Sequence, residues 1–427
     1  MAASAATPAV TSAPNDPGFV RHQQWGLAQA GFPTAWCRST GAGALVVVLD
    51  TGVDAAHPDL RGKLAGQARV QDGVLSTGAG SAADDSGHGT HVAGIAVADT
   101  DNGVGVAGAA PGAKLYAIKV LFAPAPGQPE EGSPSDLAQA IDYAADTVAA
   151  SWPGPVVLNI SIGSADAGSS SEGSTLSDSG GEISAAISHA YSRGLAVALA
   201  AANTGTSPLG GTAVQDGQAL SVGALDQNGA VASYSPTSGV SVFAAGGAAN
   251  AGHGYIGTGI ISTWPHTSAG DYAWMAGTSM AAPHVAAALA LLMSTGMSNA
   301  QAYQRLLQTE DAAQRLHVDS ALGSTAPCGV RPAAPVAHPA SGASQPVTAR
   351  VVAPAAPVPT PAAATQPPSK PVAAASAVRL ASTGAAHAPS GSGHGGSLLG
   401  RLALALSAAA VVWLALPRRL LLRVMRR

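Results

Sequence analysis

The sequence predicts an α/β fold, a three-layer, doubly wound and mostly parallel sheet, and three observations lead there. Between Asp16 and Leu322, short runs that are apolar at nearly every position alternate with segments of helical periodicity. Strands covered on both faces read this way, because successive side chains point to opposite sides of the sheet. Alanine is abundant beside 52 glycines, while aromatics make up 4%, which favours thin, closely approaching layers over bulky ones. In chain order the strands are "ALVVVLD" (44–50), "KLYAIKVL" (114–121), "PVVLNISI" (155–162), "GLAVALAAA" (194–202) and "ALSVGAL" (219–225). "SPSDLAQAIDYAADTVAA" (133–150) and "GGEISAAISHAYSRG" (180–194) fit the intervening helices, with serine or glycine near their starts. In such a fold, sites lie beyond the carboxyl ends of the strands.

The ends of the chain differ from this core. Residues 1–15 carry no early Lys or Arg and no apolar run, so they read as a disordered segment and not as a secretory signal. Residues 16–328 form the globular domain. Residues 329–396 are rich in Pro, Ala and Ser without Phe, Tyr or Trp and read as a linker. All 24 acidic residues and 10 of the 20 Lys+Arg fall in residues 1–330, and the other 10 basic residues follow. An acidic globular part with a basic tail argues against nucleic-acid binding. "LALALSAAAVVWLAL" (402–416) is uncharged and spans about 22 Å as a helix. Extended back to Leu398, with Arg401 snorkelling, it approaches the roughly 30 Å of a bilayer core. Residues 397–417 are therefore expected to be one C-terminal transmembrane helix. The basic residues 418–427 would lie in the cytoplasm and the globular domain outside the membrane. A sorting tail is the alternative, since "LASTG" (380–384) resembles a variant sortase signal and "GHGGSLLG" (393–400) a diglycine-type tail. Either would release a secreted or cell-surface form after processing. Cys37 and Cys328 flank the globular part, and a disulfide between them and two free thiols are both open.

"GTSMAAPHVAAAL" (277–289) carries the first chemical signal. Proline is tolerated mainly in the first turn, so the helix containing Pro283 should begin near Ser279 or Met280. Ser279 then sits at a helix N-terminus, where unpaired N–H groups favour a developing negative charge. Gly277 is expected to let the chain turn tightly beside it. An N-cap serine is the plain alternative. A serine nucleophile needs a base, and "DSGHGTHVAG" (85–94) offers His88 and His91 at a helix start, with glycines that let another segment approach the imidazole. These two histidines lack a third ligand for a metal. An imidazole that becomes cationic wants a carboxylate, and Asp50 ends the fully apolar run "ALVVVLD".

Together these stretches resemble the subtilisin-like serine proteases. The match rests on "VVVLDTGVDAAHPDL" (46–60), "GHGTHVAGIAVA" (87–98), "GVGVAGAAPGAKLYAIKVL" (103–121), "LNISIGS" (158–164) and "GTSMAAPHVA" (277–286), over about residues 16–322. The resemblance implies a serine endopeptidase. Ser279 attacks the peptide carbonyl, His88 is base and then acid, and Asp50 orients the imidazole. "ALAAANTG" (198–205) resembles the family's oxyanion segment and makes Asn203 the side-chain donor. Two departures are visible: Ala202 precedes Asn203, and Ala287 follows in the serine helix, where the family usually has glycine. By resemblance Ser161, Ile162 and Gly163, with Ala200, Ala201 and Ala202 opposite, line the specificity pocket for an extended peptide.

The resemblance also implies a structural calcium ion. Asp59 supplies its carboxylate, Asn102 a side-chain oxygen, and Thr100, Val104 and Val106 carbonyls, with a hydrogen-bonded turn as the alternative. The N-terminal ligand is not identified from "RHQQWGL" (21–27). A catalytically silent binding module and a protease dedicated to one membrane partner are the competing readings. An esterase is disfavoured because "GTSMA" lacks the G-x-S-x-G elbow.

Overall fold

The computed structural model describes residues 13–123, 130–164, 175–176, 180–203, 209–248, 255–267, 270–324 and 350–351. Its centre is an eight-stranded sheet in the order β10-β9-β8-β5-β1-β4-β2-β3. These strands are β1 (Leu45–Asp50), β2 (Leu64–Gln71), β3 (Val74–Thr77), β4 (Lys114–Lys119), β5 (Val156–Ile160), β8 (Ala196–Ala200), β9 (Leu220–Leu225) and β10 (Val242–Ala245). All pairings are parallel except that of β2 with β3, a hairpin. Two short strands, β6 (Gly163–Ser164) and β7 (Thr175–Leu176), pair beside it. A separate hairpin of β11 (Ile260–Thr267) and β12 (Gly270–Met275) is joined by β13 (Arg350–Val351).

Helical turns α1 (Pro17–Val20), α2 (Trp25–Gln29) and α3 (Phe32–Ala35) precede the sheet. The longer helices are α4 (His88–Val97), α5 (Pro134–Tyr143), α7 (Glu182–Ser192), α9 (Thr278–Met293) and α10 (Asn299–Thr309). Helix α5 runs through a π-helical turn at Ala144–Val148 into α6 (Ala149–Ser151), while α8 (Gly211–Gln215) and α11 (Val318–Leu322) are single turns. Ser133 caps α5 by accepting from the Asp136 N–H, and Ser298 forms a capping box with Gln301 at α10.

The uniform apolar runs are explained by two separate cores. Along β1, Val46 and Val48 pack into the layer with α4 and α9, whereas Leu45, Val47 and Leu49 pack into the layer with α5 and α7. The same alternation holds in β5 and β8, where Val157, Ala196, Ala198 and Ala200 face α9, and Leu158, Ile160, Val197 and Leu199 face the other side. Every residue of α9 is buried, as expected for a helix that is apolar all round. Cys37 is disulfide-bonded, and Cys328, the only other cysteine of the sequence, lies outside the described residues. The expected linker, except for 350–351, and the expected membrane span at 397–417 also lie outside them. Among the described residues no helix is long and apolar enough to cross a membrane.

Candidate active site

Strand parity decides where Asp50 goes. It continues the series Val46, Val48, so it enters the layer of α4 and α9 at the carboxyl edge of β1. It is fully buried. Its Oδ1 accepts from His88 Nδ1 at 2.7 Å and from the Thr51 N–H at 2.8 Å, while Oδ2 has no partner among the described residues. His88 opens α4, which packs on both β1 and α9. Gly89 permits the approach, because a Cβ there would lie 2.1 Å from the Gly52 carbonyl oxygen and 3.1 Å from Asp50 Cβ. Gly87, at φ +109°, likewise leaves room for the Trp264 ring.

Burial alone would lower the His88 pKa, but the Asp50 charge and hydrogen bond, aided by Glu130 and Asp84, lift it to about 9. His91, one turn on, goes the other way. Its Nε2 faces the carbonyls of Ile260 and Ala273, each at 3.1 Å, and burial depresses it to about 3. It therefore stays neutral and ties α4 to the β11–β12 hairpin.

The expected start of the serine helix needs correction. Helix α9 begins at Thr278, so Pro283 stands in its second turn and not its first. Having no N–H, Pro283 leaves the carbonyl four residues earlier, that of Ser279, without its helical donor. Ser161 Oγ supplies one at 2.8 Å. Ser161 is driven to do so because Asn159 Nδ2 donates to the same hydroxyl at 2.9 Å, which commits its proton to the other side. The exchange is reciprocal, since Ser279 Oγ donates to the Ser161 carbonyl at 3.1 Å.

Asn203 lies against the start of α9. Its Oδ1 accepts from the Thr278 N–H at 2.9 Å and from the Thr278 hydroxyl at 3.0 Å, which fixes the amide and leaves Nδ2 as the outward donor. The expected tight turn at Gly277 is absent: with φ 163° and ψ 162° it is extended backbone. A Cβ there would lie in ordinary contact with Asn203, 3.4 Å from its Nδ2. Ala202 holds a left-handed φ of +77°, a region that suits glycine better than alanine. Ser161 and Ala200 leave β5 and β8 on the α9 face, while Ile162 packs fully buried into the opposite layer. Ala201 and Ala202 are also buried and Gly163 is half-buried, so these positions offer a ligand mainly backbone.

The loop at 99–106 folds around two carboxylates. Asp59 accepts from the Val106 N–H (2.9 Å), the Tyr272 hydroxyl (3.1 Å) and Asn102 Nδ2 (3.2 Å). Asp16 was not picked out from the sequence, yet it accepts from the N–H groups of Asp101 (2.8 Å) and Asn102 (3.3 Å). Its signal lies in "NDPGF" (15–19), just upstream of "RHQQWGL" (21–27). Thr100 caps the loop through its hydroxyl, while Asn102 Oδ1 accepts from the Val104 N–H at 2.8 Å. Both carboxylates are fully buried, and among the described residues neither has an ion-pair partner. Burial first, and Asp16 beside it, push Asp59 up to about 7; burial also raises Asp16. Two buried, mutually repelling carboxylates are the hard oxygen donors that a cation such as calcium prefers. No group of three or more His, Cys, Asp or Glu side chains gathers as a metal cluster among the described residues, so amide and carbonyl oxygens would complete the set.

An imidazole held by a buried carboxylate, on a helix packed against that of an N-terminal serine, is the kind of arrangement hydrolases use. Comparison with known proteins narrows the class. The subtilase family model matches residues 41–324. Thermitase from Thermoactinomyces vulgaris is 35% identical over 298 residues, covering 70% of this chain and 91% of its own length. Subtilisin Savinase from Lederbergia lenta is 36% identical over 289 residues, covering 67% and 90%. Among solved structures, a protease from Pseudoalteromonas arctica superposes with a TM-score of 0.59 at 30% identity, covering 73% of this chain and 99% of that one. The chain belongs to the subtilase family and is a serine endopeptidase.

Three outcomes follow. Ser161→Ala strips the Ser279 carbonyl of its donor and should destabilise the protein by about 1–3 kcal/mol in urea unfolding. Adding Pro283→Ala, which restores a helical N–H, should recover part of that loss; a strictly additive cycle would refute the coupling. Ala202→Gly relieves the left-handed strain and should be neutral to about 1 kcal/mol stabilising by the same measurement, whereas a clear loss would argue against the strain. In chelator, the folded protein keeps a proton on Asp59 that the unfolded chain has released, so stability should fall as pH rises from about 4 to about 7. Thermal melts of a Ser279→Ala background should show this slope, and Asp59→Asn should flatten it.

Proposed function

We propose that Ser279 is the nucleophile, His88 the general base and then acid, and Asp50 the carboxylate that fixes and stabilises the imidazolium. One observation carries the reading: His88 Nδ1 meets Asp50 Oδ1 at 2.7 Å inside a buried layer, which commits Nδ1–H to the carboxylate and leaves Nε2 as the face that handles protons. Ser279 Oγ rotates from the Ser161 carbonyl to give its proton to Nε2 as it attacks the peptide carbonyl. The oxyanion is received by Asn203 Nδ2 and by the Ser279 N–H, which has no intrahelical partner at the start of α9. His88 then returns the proton to the leaving amine, and water repeats the cycle on the acyl-enzyme. The peptide binds extended between 161–163 and 200–202, where backbone groups and small side chains tolerate varied substrates.

Calcium would be held by Asp16, Asp59, Asn102 with its amide oxygen turned inward, and the carbonyls of Thr100, Val104 and Val106. It supplies charge neutralisation when bound, and no reaction step passes through it. The Pro/Ala/Ser-rich linker, the apolar stretch at 397–417 and the basic end support a catalytic domain held outside the cell membrane. Processing at "LASTG" or "GHGGSLLG" by a sortase-like or diglycine-tail enzyme is the alternative, and mass spectrometry of the mature C-terminus separates the two.

A fluorophosphonate probe should label the wild type and not Ser279→Ala; a folded wild type that resists labelling refutes the assignment. Because only neutral His88 accepts a proton, kcat/KM should climb with pH toward about 9. Asp50→Asn should lower kcat by roughly 10⁴-fold.

A further inference from the structure

Helix α4 has a vacant cap. Its N-cap residue is Gly87, which offers no side chain to the first-turn N–H groups. Asp84 does the capping from three residues upstream. Its Oδ1 accepts from the N–H groups of Ser86 (3.0 Å) and Gly87 (2.9 Å) and from the Thr51 hydroxyl (2.8 Å). Its Oδ2 accepts from the Thr90 N–H (2.9 Å) and the Thr90 hydroxyl. One carboxylate thus takes five donors, and one of them belongs to the residue next to Asp50.

The two threonines make this carboxylate a joint between strand and helix. Thr51 gives its only hydroxyl proton to Asp84, so its lone pair is left to receive the Gly89 N–H at 2.9 Å. Thr90 does the same in the opposite direction and receives the Asp54 N–H at 2.9 Å. The segment after Asp50 and the helix of His88 are therefore cross-linked twice, with Asp84 orienting both hydroxyls. Lys119, opposite Asp50 in the β1–β4 register, reinforces the joint by donating to the Thr51 carbonyl and pairing with Asp85 at 2.7 Å.

We propose that Asp84 is a positioning residue: it sets the relative placement of Asp50 and His88 through Thr51 and Thr90, and touches neither substrate nor the reacting atoms. The proposal rests on the triad assignment above. An amide cannot take its place: Oδ1 and Oδ2 each accept from a backbone N–H as well as a threonine hydroxyl, so whichever oxygen became an NH₂ group would face an N–H donor and leave the hydroxyl on that side without its acceptor.

The test compares wild type, Asp84→Asn, Thr51→Val and the double variant. Each is normalised to folded sites, and kcat and KM are read separately across the pH range. Asp84→Asn should lower kcat about 100-fold on the alkaline plateau, where a small misplacement of the base is felt directly. KM should stay within about twofold. The double variant should be no slower than Asp84→Asn. The charge of Asp84 also acts on His88, together with Asp50 and Glu130, so the acidic limb should move to lower pH as well. A limb that moves while the plateau stays at the wild-type value makes Asp84 a remote charge only and overturns the proposal. So does a lowered melting temperature with unchanged kcat, or full activity in Thr51→Val. If Asp84→Asn does not fold, Thr51→Val alone decides, since it removes the same link from the other end. Fluorophosphonate labelling keeps the two readings apart. An unlabelled wild type sinks the triad and this proposal together. A labelled wild type with Asp84→Asn reacting at the same plateau rate sinks only this one.

Discussion

A carboxylate at the end of an all-apolar strand is the constraint on which the site is built. Asp50 has no exposed surface, and an ionised group so placed costs several kcal/mol unless it is paired and hydrogen-bonded. Strand alternation sends it into the α4–α9 layer, so its partners must come from there. His88 and the Thr51 N–H are those partners, both on Oδ1. The glycines of the His88 turn follow from the same demand, because a methyl group at position 89 would hold the β1 segment and α4 apart. One contact thus satisfies the buried carboxylate and ties β1 to α4.

The serine helix obeys a second constraint. Every residue of α9 is buried, so a backbone carbonyl freed by Pro283 has no water to turn to and must find a donor in the protein. The Asn159–Ser161 pair provides it, and both residues sit at or just beyond the end of β5 on the α9 face. A proline that looks like a helix defect thereby fastens the segment after β5 to the backbone of Ser279. The segment after β5 and the start of the serine helix are thus one mechanical unit.

The parts of this structure legible in the sequence are those where a local pattern has one physical meaning. Runs such as "ALVVVLD" are apolar throughout because two cores claim alternate residues, and such runs gave the parallel sheet directly. Asp50, His88 and Ser279 stood out because each is a chemically able residue where local periodicity alone would place something else. Asp16, Thr51, Asp84 and Thr278 did not stand out. They are polar residues in loops or at element ends, and their roles come from partners far away in the chain, such as Asp101 for Asp16 or Asn203 for Thr278. Gly277 differs for a related reason: glycine suggests an unusual φ, yet the backbone there is extended and a Cβ would meet only ordinary contacts, so nothing among the described residues accounts for the glycine. Pro283 stands one or two residues deeper in its helix than expected, and the helix tolerates it there through Ser161, a contact spanning more than a hundred residues.

Under the proposed triad, the acidic surroundings of His88 would act differently on the two halves of the reaction. Asp50, Glu130 and Asp84 all favour the imidazolium, so at neutral pH the base is largely already protonated and attack by Ser279 waits on the neutral fraction. Once attack has occurred, those same charges stabilise the imidazolium formed beside the oxyanion, and this cation is the acid that must protonate the leaving amine. A weaker acidic field would leave more free base but hold the intermediate less well. A site working by that triad would favour the charge-separated intermediate at the expense of the resting base, and raising the pH would recover the base without weakening the carboxylates that hold the cation.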